Sequence, residues 1–370
     1  MSTVIDTYAV VIIFIVLLML TAVVIILICF ATIRRSFLAH REKQYQQAEE
    51  KVSDPLYAYL DDEIDLNAYS DVLQTRFEIE AAYQLVNILI DNVKGSQQKK
   101  LRSLLELPKF RRYFFARLRS RKIMHVAHAC MYFSQKGLID KNAIRRMFVL
   151  QDHPYNVILY ASTLALVSTA ESETQDEALK RFLRRRNNAS MAINDIIFKY
   201  HSHQIDSARC AQVLLEAVKD VSIPDKNRAA VISMLPSLGF YHCSDDLMEL
   251  LRSEVSQDRT GILTSALINV LKEFFYEGLE KEIVRQELWK SGFQQVRLEV
   301  VHFFSRLHDE SYLSTLMDLA HDPDIEVRIA ALKALMKIQK KVRIPDENFQ
   351  ADILPEWQEM KRSGEDYVDS

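Results

Sequence analysis

The longest apolar segment of the chain covers residues 8–33 and contains no charged residue. As a helix it would be about 39 Å long, and the hydrocarbon core of a bilayer is about 30 Å thick. A cleaved signal peptide begins with basic residues and has a shorter apolar core, but no Lys or Arg precedes this segment. The pattern therefore predicts an uncleaved transmembrane helix over residues 8–33, preceded by a short non-cytoplasmic tail at residues 1–7.

The charges that flank the apolar segment predict its orientation. Four basic residues follow it closely: Arg34, Arg35, Arg41 and Lys43. Lys and Arg concentrate on the cytoplasmic side of transmembrane helices. We therefore expect a single-pass protein of the inner (plasma) membrane, with its N-terminus outside and the bulk of the chain in the cytoplasm. Residues 34–55 are predicted to be a juxtamembrane spacer that continues the helix as far as Asp54-Pro55.

From residue 56 to residue 343 the apolar positions recur at helical spacing, without sustained period-two alternation. The chain has only 7 Gly and 8 Pro among 370 residues, which favours long helices joined by few special turns. The most regular segment is 316–338, where two apolar-periodic helices flank a turn at Asp322-Pro323. Each such pair would bury one face and leave apolar edges for the next pair, as in stacked repeats.

Segment 316–338 resembles a HEAT repeat. The resemblance rests on an apolar first helix, the turn at Asp322, and Val327-Arg328 at the start of a second helix rich in small residues. In that family an Asp and an Arg at such positions form a ladder between neighbouring repeats. The resemblance therefore implies a structural role for Asp322 and for Arg328.

Weaker copies of the same pattern precede this segment. Arg297 and Arg228 each lie near the start of a further second helix, whereas the copies at 262–270 and 147–167 lack the arginine. The resemblance thus extends the ladder role to Arg297 and Arg228 and weakens toward the N-terminal half.

Together these patterns predict an all-α protein. Its N-terminal transmembrane helix would be followed by a HEAT-like α-solenoid of stacked antiparallel helix pairs at residues 56–343. Repeats of this kind, about 31 to 37 residues apart, would give roughly six to eight pairs. The polar, acidic residues 344–370 are predicted to form a C-terminal tail.

Candidate catalytic chemistry is sparse. The sequence lacks the common phosphate-binding, metalloprotease and serine-hydrolase motifs. The four cysteines show no CxxC spacing, and neither His125/His128 nor His201/His203 has a carboxylate or Cys at ligand spacing. We therefore expect buried reduced thiols, ordinary histidines, no catalytic residue, no metal site and no cofactor.

The sharpest charge feature is the basic run at residues 99–122, where aromatic side chains interleave with ten Lys and Arg residues. A second basic run covers residues 180–186, and residues 54–80 carry eight acidic residues against one basic residue. Three interpretations of the first run stay open: a solvated face paired with the acidic segment, a surface for the anionic leaflet or an acidic partner, or a nucleic-acid site. The candidates for partner or anionic-surface binding are Lys109, Arg111, Arg112, Arg117, Arg119, Arg121, Arg184 and Arg185.

These features favour a non-enzymatic, membrane-tethered scaffold. A solenoid offers a long surface lined by the second helices of its pairs, which suits a helix or peptide of a protein partner. The tether places that partner at or in the membrane, where a membrane-embedded envelope or polysaccharide assembly enzyme is one example, and it brings anionic lipid within reach. Two alternatives stay open: a membrane-tethered enzyme on the same fold, and a nucleic-acid binder through residues 99–122, which the tether disfavours.

Overall fold

The computed structural model describes residues 2–90, 92–135, 139–204, 206–255 and 258–342, with side chains described between residues 18 and 338. Within these ranges the chain forms eighteen α-helices and three short 3-10 turns, and no strand. The helices are α1 (Ser2–Leu60), α2 (Leu66–Val72), α3 (Arg76–Ile90), α4 (Ser96–Leu105), α5 (Pro108–Arg117), α6 (Ile123–Phe133), α7 (Lys141–Leu150), α8 (Asn156–Val167), α9 (Ser172–Leu183), α10 (Ser190–His203), α11 (Ser207–Lys219), α12 (Asp225–Met234), α13 (Ser244–Glu254), α14 (Ile262–Glu273), α15 (Leu279–Arg285), α16 (Gln294–Leu307), α17 (Leu313–Leu319) and α18 (Ile325–Val342). The prediction of an all-α fold is confirmed, and the predicted tail at 344–370 lies outside the described residues.

The chain divides into two compact units, which we call unit 1 (residues 1–129) and unit 2 (residues 130–370). The boundary falls inside α6. The sequence pattern predicts one continuous solenoid over 56–343, whereas here the repeat-like part of the chain lies in unit 2.

The first helix is the one described helix that is long and apolar enough to cross a membrane, judged by length and composition. Its most apolar window has a mean hydropathy of 2.1. The large apolar side chains from Leu18 to Ile33 are exposed, so no other described part of the chain covers them.

The other end of α1 belongs to the core of unit 1. Ala48, Val52 and Leu56 are buried, and their spacing of four places them on one face of the helix. The helix continues through Pro55 to Leu60, beyond the end predicted at Asp54-Pro55. The C-terminal part of residues 34–55, for which a juxtamembrane spacer is predicted, therefore packs within unit 1.

The buried face of α1 packs antiparallel against α3. Lys51 Nζ donates to Glu78 Oε1 at 2.6 Å, and the Tyr45 hydroxyl donates to Gln84. Burial opposes ionisation of Glu78, but the hydrogen bonds from Lys51 and from the backbone of Thr75 lower its pKa overall. Unit 1 is thus built around the helix that carries the apolar segment.

After the end of α6, the described residues of unit 2 form six helix pairs: α7–α8, α9–α10, α11–α12, α13–α14, α15–α16 and α17–α18. The second helices of successive pairs begin 31 to 37 residues apart. Each of α8, α10, α12, α14 and α16 packs on the second helix of the next pair. This arrangement is that of an α-solenoid, as predicted for this part of the chain.

Local sequence explains where helices of unit 2 begin. The carboxylates of Asp140 and Asp206 accept hydrogen bonds from backbone N–H groups in the first turns of α7 and α11, as favoured N-cap residues do. Gly261 precedes α14 with φ of 72°, and a Cβ there would lie 2.5 Å from Phe293 Cβ. Only glycine satisfies both the left-handed backbone and this close approach.

Candidate functional site

A groove of about 360 Å³ crosses four consecutive second helices of unit 2, and we call it the second-helix groove. Because α10, α12, α14 and α16 lie side by side, residues at the same height on each helix line one continuous surface. The lining residues are Ser190 and Asn194 of α10, Lys226, Ala229, Ala230 and Ser233 of α12, Ile262, Ser265, Ala266 and Asn269 of α14, and Glu299 of α16.

The middle of the second-helix groove is lined by small side chains. Ala229, Ala230 and Ser233 on α12 face Ser265 and Ala266 on α14. Small side chains let a second backbone approach closely, because no long side chain has to be displaced. The groove therefore offers room for a helix or an extended segment.

The rim of the groove is polar and carries both signs of charge. Asn194 and Asn269 each present an amide that can donate to and accept from a peptide backbone. Lys226 and Glu299 add opposite charges. Such a rim can orient a bound segment, while the small residues between these side chains set how deeply it sits.

Glu299 is held in place from beneath by a buried cation. Lys272 of α14 donates to Glu299 Oε2 at 2.7 Å, and the Lys272 side chain is 8% exposed. His302 lies one turn further along α16, and partial burial lowers the pKa of its imidazole against the opposing effect of Glu299. The pair Lys272–Glu299 couples α14 to α16 and fixes one side of the groove.

A second polar feature ties α16 to the last helix pair. Arg297 donates two hydrogen bonds to the carboxylate of Asp322, at 2.6 and 2.8 Å, and a third to Asp324 at 2.5 Å. The same guanidinium reaches the Ser291 carbonyl at 2.6 Å. The hydrogen bonds that Arg297 donates to Asp322, more than any other cause, raise the pKa of Arg297. Asp322 thus bonds to the arginine of the preceding pair.

The other two arginines of the predicted ladder make different contacts. Arg228 of α12 donates to Glu254 at 2.6 Å, at the end of α13, and to the Val218 carbonyl at 2.6 Å. Arg328 donates to the Asp322 carbonyl at 2.8 Å, within the turn before its own helix. Arg228 and Arg297 therefore link successive pairs, whereas Arg328 closes the turn of its own pair.

The basic run at 99–122 lies in unit 1, and part of it pairs with the acidic segment. Arg117 and Glu80 form a 2.9 Å ion pair with both side chains mostly buried, and Lys100 pairs with Asp62 at 2.7 Å. Lys109 donates to the Ser70 carbonyl at 2.7 Å. These contacts support the paired interpretation for these residues and remove Lys109 and Arg117 from the exposed binding candidates.

The remaining candidates of that run differ in exposure and contacts. Arg111, Arg112, Arg119 and Arg121 are exposed, and the Arg119 guanidinium lies over the Phe115 ring at 5.0 Å. Arg111 has an interaction partner of its own. Exposed basic side chains are thus concentrated around the C-terminal end of α5.

The second basic run is held by acidic residues of unit 2. Arg184 pairs with Asp220 at 3.1 Å and Arg185 pairs with Asp152 at 2.7 Å. Both pairs join neighbouring helix pairs, so these two candidates have structural partners.

The histidines and cysteines, for which the sequence predicts no metal or catalytic role, lie as follows. His201 packs against Phe240, with ring centroids 5.5 Å apart. Burial raises the pKa of Cys130 and of Cys210 to about 12, which keeps these thiols protonated. Within the described ranges, no group of three or more His, Cys, Asp or Glu side chains could hold a metal ion.

Sequence reasoning missed the second-helix groove and the Lys272–Glu299 pair. A signal was present in the small residues Ala229, Ala230, Ser233, Ser265 and Ala266, which recur at helical spacing on two second helices. Small residues are also common in buried helix contacts, so their position along an open groove could only be seen once the neighbouring helices were in place.

Comparison with known families supports the repeat architecture. Residues 282–346 match the family described as HEAT repeats, a segment that begins in α15 and includes Arg297, Asp322 and Arg328. HEAT repeats commonly serve as scaffolds for protein interactions. A comparison with curated proteins finds none that matches the chain.

Proposed function

We propose that this chain is a non-enzymatic, membrane-tethered scaffold whose second-helix groove binds a helix or an extended segment of a protein partner at the membrane. The observation that carries this proposal is the groove itself, which is formed by four stacked second helices and combines a floor of small residues with a polar rim.

The chemistry of the groove suits a peptide better than a small metabolite. Asn194 and Asn269 can bond to backbone amides, and Ser233 and Ser265 have hydroxyls that donate and accept. Phe198 lies one turn beyond Asn194 on α10 and is 60% exposed. An exposed aromatic side chain beside a polar groove is a suitable anchor for a partner's apolar residue.

The proposed membrane tether indicates on which side of the membrane the partner lies. The apolar part of α1 has the length and composition of a membrane span, and its C-terminal end is built into the core of unit 1. Since basic residues follow the apolar segment, the domain faces the cytoplasm under the positive-inside rule. The proposed partner is a protein at the inner face of that membrane, such as a membrane-embedded assembly enzyme.

A groove-filling variant tests the binding proposal. Ser233→Arg/Ala266→Arg places two long cationic side chains in the floor of the groove. Gln212→Arg/Ser314→Arg adds the same charge at exposed positions of the first helices α11 and α17. Each full-length protein would be purified from detergent-solubilised membranes, and the co-purifying proteins would be quantified by mass spectrometry.

We expect at least one protein that co-purifies with the unsubstituted chain and with the first-helix control, and that the groove variant loses. If the groove variant retains every co-purifying protein at the level of the control, the groove is not the binding surface. Alkaline carbonate extraction of the same membranes tests the tether separately, because a membrane-spanning chain stays in the pellet.

A further inference from the structure

Unit 1 carries uncompensated positive charge around the turn between α5 and α6. Arg112, Arg119, Arg121 and Lys122 are exposed and make no ion pair with the part of the chain that the structure describes. The stacking of Arg119 on Phe115 holds its guanidinium against the helix surface without neutralising it. These four side chains differ in this respect from the paired Lys100 and Arg117 of the same run.

The turn between α5 and α6 carries Arg119, Arg121 and Lys122, whereas Arg112 lies on α5 itself. The backbone N–H of Lys122 donates to Ser120 Oγ at 3.1 Å, and Ser120 Oγ lies 3.4 Å from His125 Nδ1. Burial lowers the pKa of His125, and the charges of Arg117, Lys122 and Arg41 lower it further. Arg117 immediately precedes this turn and pairs with Glu80 of α3 at 2.9 Å. Gln84 lies one turn further along α3 and accepts a hydrogen bond from Tyr45 of α1, so the turn lies on the side of unit 1 where Tyr45 packs.

The position of Arg41 along α1 relates the turn to the bilayer. Arg41 follows Ile33, the last residue of the apolar segment, by about 12 Å along the helix axis. The headgroup layer on each side of the hydrocarbon core is about 5–8 Å thick. With residues 8–33 in the bilayer, Arg41 lies within about one screening length of the headgroups at physiological ionic strength. Tyr45, beside which the turn lies, is one helical turn further along α1.

We propose that Arg112, Arg119, Arg121 and Lys122 bind anionic phospholipid headgroups of the bilayer that α1 crosses, and so hold unit 1 against the membrane surface. This inference rests on the membrane tether of the proposed function. Two observations support it: four exposed cations without intramolecular counter-charges, and their placement beside the helix that enters the bilayer. Arginine pairs well with phosphate because its planar guanidinium can donate two parallel hydrogen bonds.

The test measures how close unit 1 lies to the lipid surface. The full-length chain carrying Ala116→Cys, an exposed position on α5, is labelled with a fluorescent donor. Cys29 is exposed and is replaced by Ser in every variant, whereas Cys130, Cys210 and Cys243 are buried and react slowly. The protein is reconstituted into vesicles of phosphatidylcholine alone, or of phosphatidylcholine with phosphatidylserine, each containing a headgroup-labelled acceptor.

We expect more energy transfer in the phosphatidylserine vesicles, and a return to the phosphatidylcholine level in molar salt, where the screening length falls to about 3 Å. Each basic residue replaced by Gln should lower the ratio of docked to undocked protein by about fivefold, and the quadruple variant by several hundredfold. The matched control has Gln at four exposed basic positions of unit 2: Lys141, Arg145, Arg259 and Lys281. This control should behave like the unsubstituted chain.

Two readouts separate the failure of this inference from failure of the tether. If the chain is extracted from phosphatidylcholine vesicles by alkaline carbonate, the tether is absent and both proposals fall. If the chain stays embedded but energy transfer is equal in the two lipids, headgroup docking is overturned while the tether stands. Equal energy transfer from the quadruple variant and its control in phosphatidylserine vesicles would also overturn the proposal, because another surface would then hold unit 1 at the lipid.

Discussion

The helix pairs of unit 2 are joined to the pairs that follow them in two different ways. The contrast lies at the fourth residue of each second helix, which is Leu159 in α8, Ile193 in α10, Arg228 in α12, Ser265 in α14, Arg297 in α16 and Arg328 in α18. In α8 and α10 this position is buried and apolar. In α12 and α16 it carries an arginine that bonds to the next helix pair. The stack therefore tolerates either apolar packing or a charged ladder at the same place.

The difference also shows what the family resemblance measures. The HEAT match begins at residue 282, and the segment that it covers includes the Arg297–Asp322 contact. The pairs α7–α8 and α9–α10 keep the spacing and the helix-on-helix contacts without an arginine at this position. Repeat geometry thus extends further along the chain than the family's sequence pattern does.

The largest effect is expected from breaking the charged ladder. Arg297→Ala leaves the buried Asp322 carboxylate, 5% exposed, without its main partner, and removing one member of a buried pair costs about 3–5 kcal/mol. Urea unfolding followed by circular dichroism would measure this loss. The exposed pair Arg181–Glu177 supplies the control, since Arg181→Ala should cost less than about 1 kcal/mol.

A double variant sharpens the same comparison. Arg297→Met/Asp322→Leu converts the ladder into an apolar contact of the kind that Ile193 makes, and such replacements are often close to neutral. We expect it to recover most of the stability that Arg297→Ala loses. A double variant as unstable as Arg297→Ala would show that the C-terminal pairs require charge at this position.

The two pairs with an apolar residue at this position, α7–α8 and α9–α10, should respond through packing alone. Ile193→Ala removes a fully buried side chain from α10, and truncations of this kind cost about 2–5 kcal/mol. Ile193→Val removes a single methylene and should cost about 0.5–1.5 kcal/mol. The two free energies of unfolding would be compared by urea denaturation, and equal losses would contradict a close-packed environment.

Gly261 offers a smaller perturbation at the junction before α14. The Cβ of Ala at this position would clash with Phe293, and the residue would also have to adopt a left-handed backbone conformation. Overpacking typically costs about 1–3 kcal/mol. Gly239 has a similar φ, 76°, and open space around it, so Gly239→Ala isolates the backbone effect. Thermal unfolding should show Gly261→Ala as the less stable variant, and equal melting temperatures would exclude the clash.

Acid sensitivity is expected to begin in the C-terminal half of unit 2. Burial opposes ionisation of Glu282 and Asp258, but hydrogen bonds lower the pKa of both carboxyl groups. Glu282 accepts from Arg285, Gln286 and Arg252. Asp258 accepts from backbone N–H groups. A lowered folded-state pKa contributes stability above the unfolded value, about 4, and this stability is lost as pH falls through the folded value. Hydrogen exchange should show α13–α16 losing protection before α7–α8 as pH falls below about 4, and Glu282→Gln should flatten that dependence. Simultaneous loss in both regions would contradict this assignment.

Sequence pattern was sufficient for the helix periodicity, the spacing of the pairs and the turn at Asp322. Sequence pattern was insufficient where the same type of residue is found in two different environments. Val52 and Leu56 have the spacing of any amphipathic helix, so only the packing against α3 revealed that α1 is part of unit 1. The basic run divided into paired residues, such as Arg117, and exposed ones, such as Arg112, because pairing depends on which helix lies opposite.

The central claim is that the second-helix groove contacts a protein partner, and site-specific photo-crosslinking in intact membranes tests it most directly. A photoreactive phenylalanine analogue would replace Ala266 in the groove or Glu249 on the exposed face of α13. The account predicts a discrete protein adduct from position 266 and none from position 249 after irradiation. Equal adducts from both positions, or adducts from position 249 alone, would contradict it.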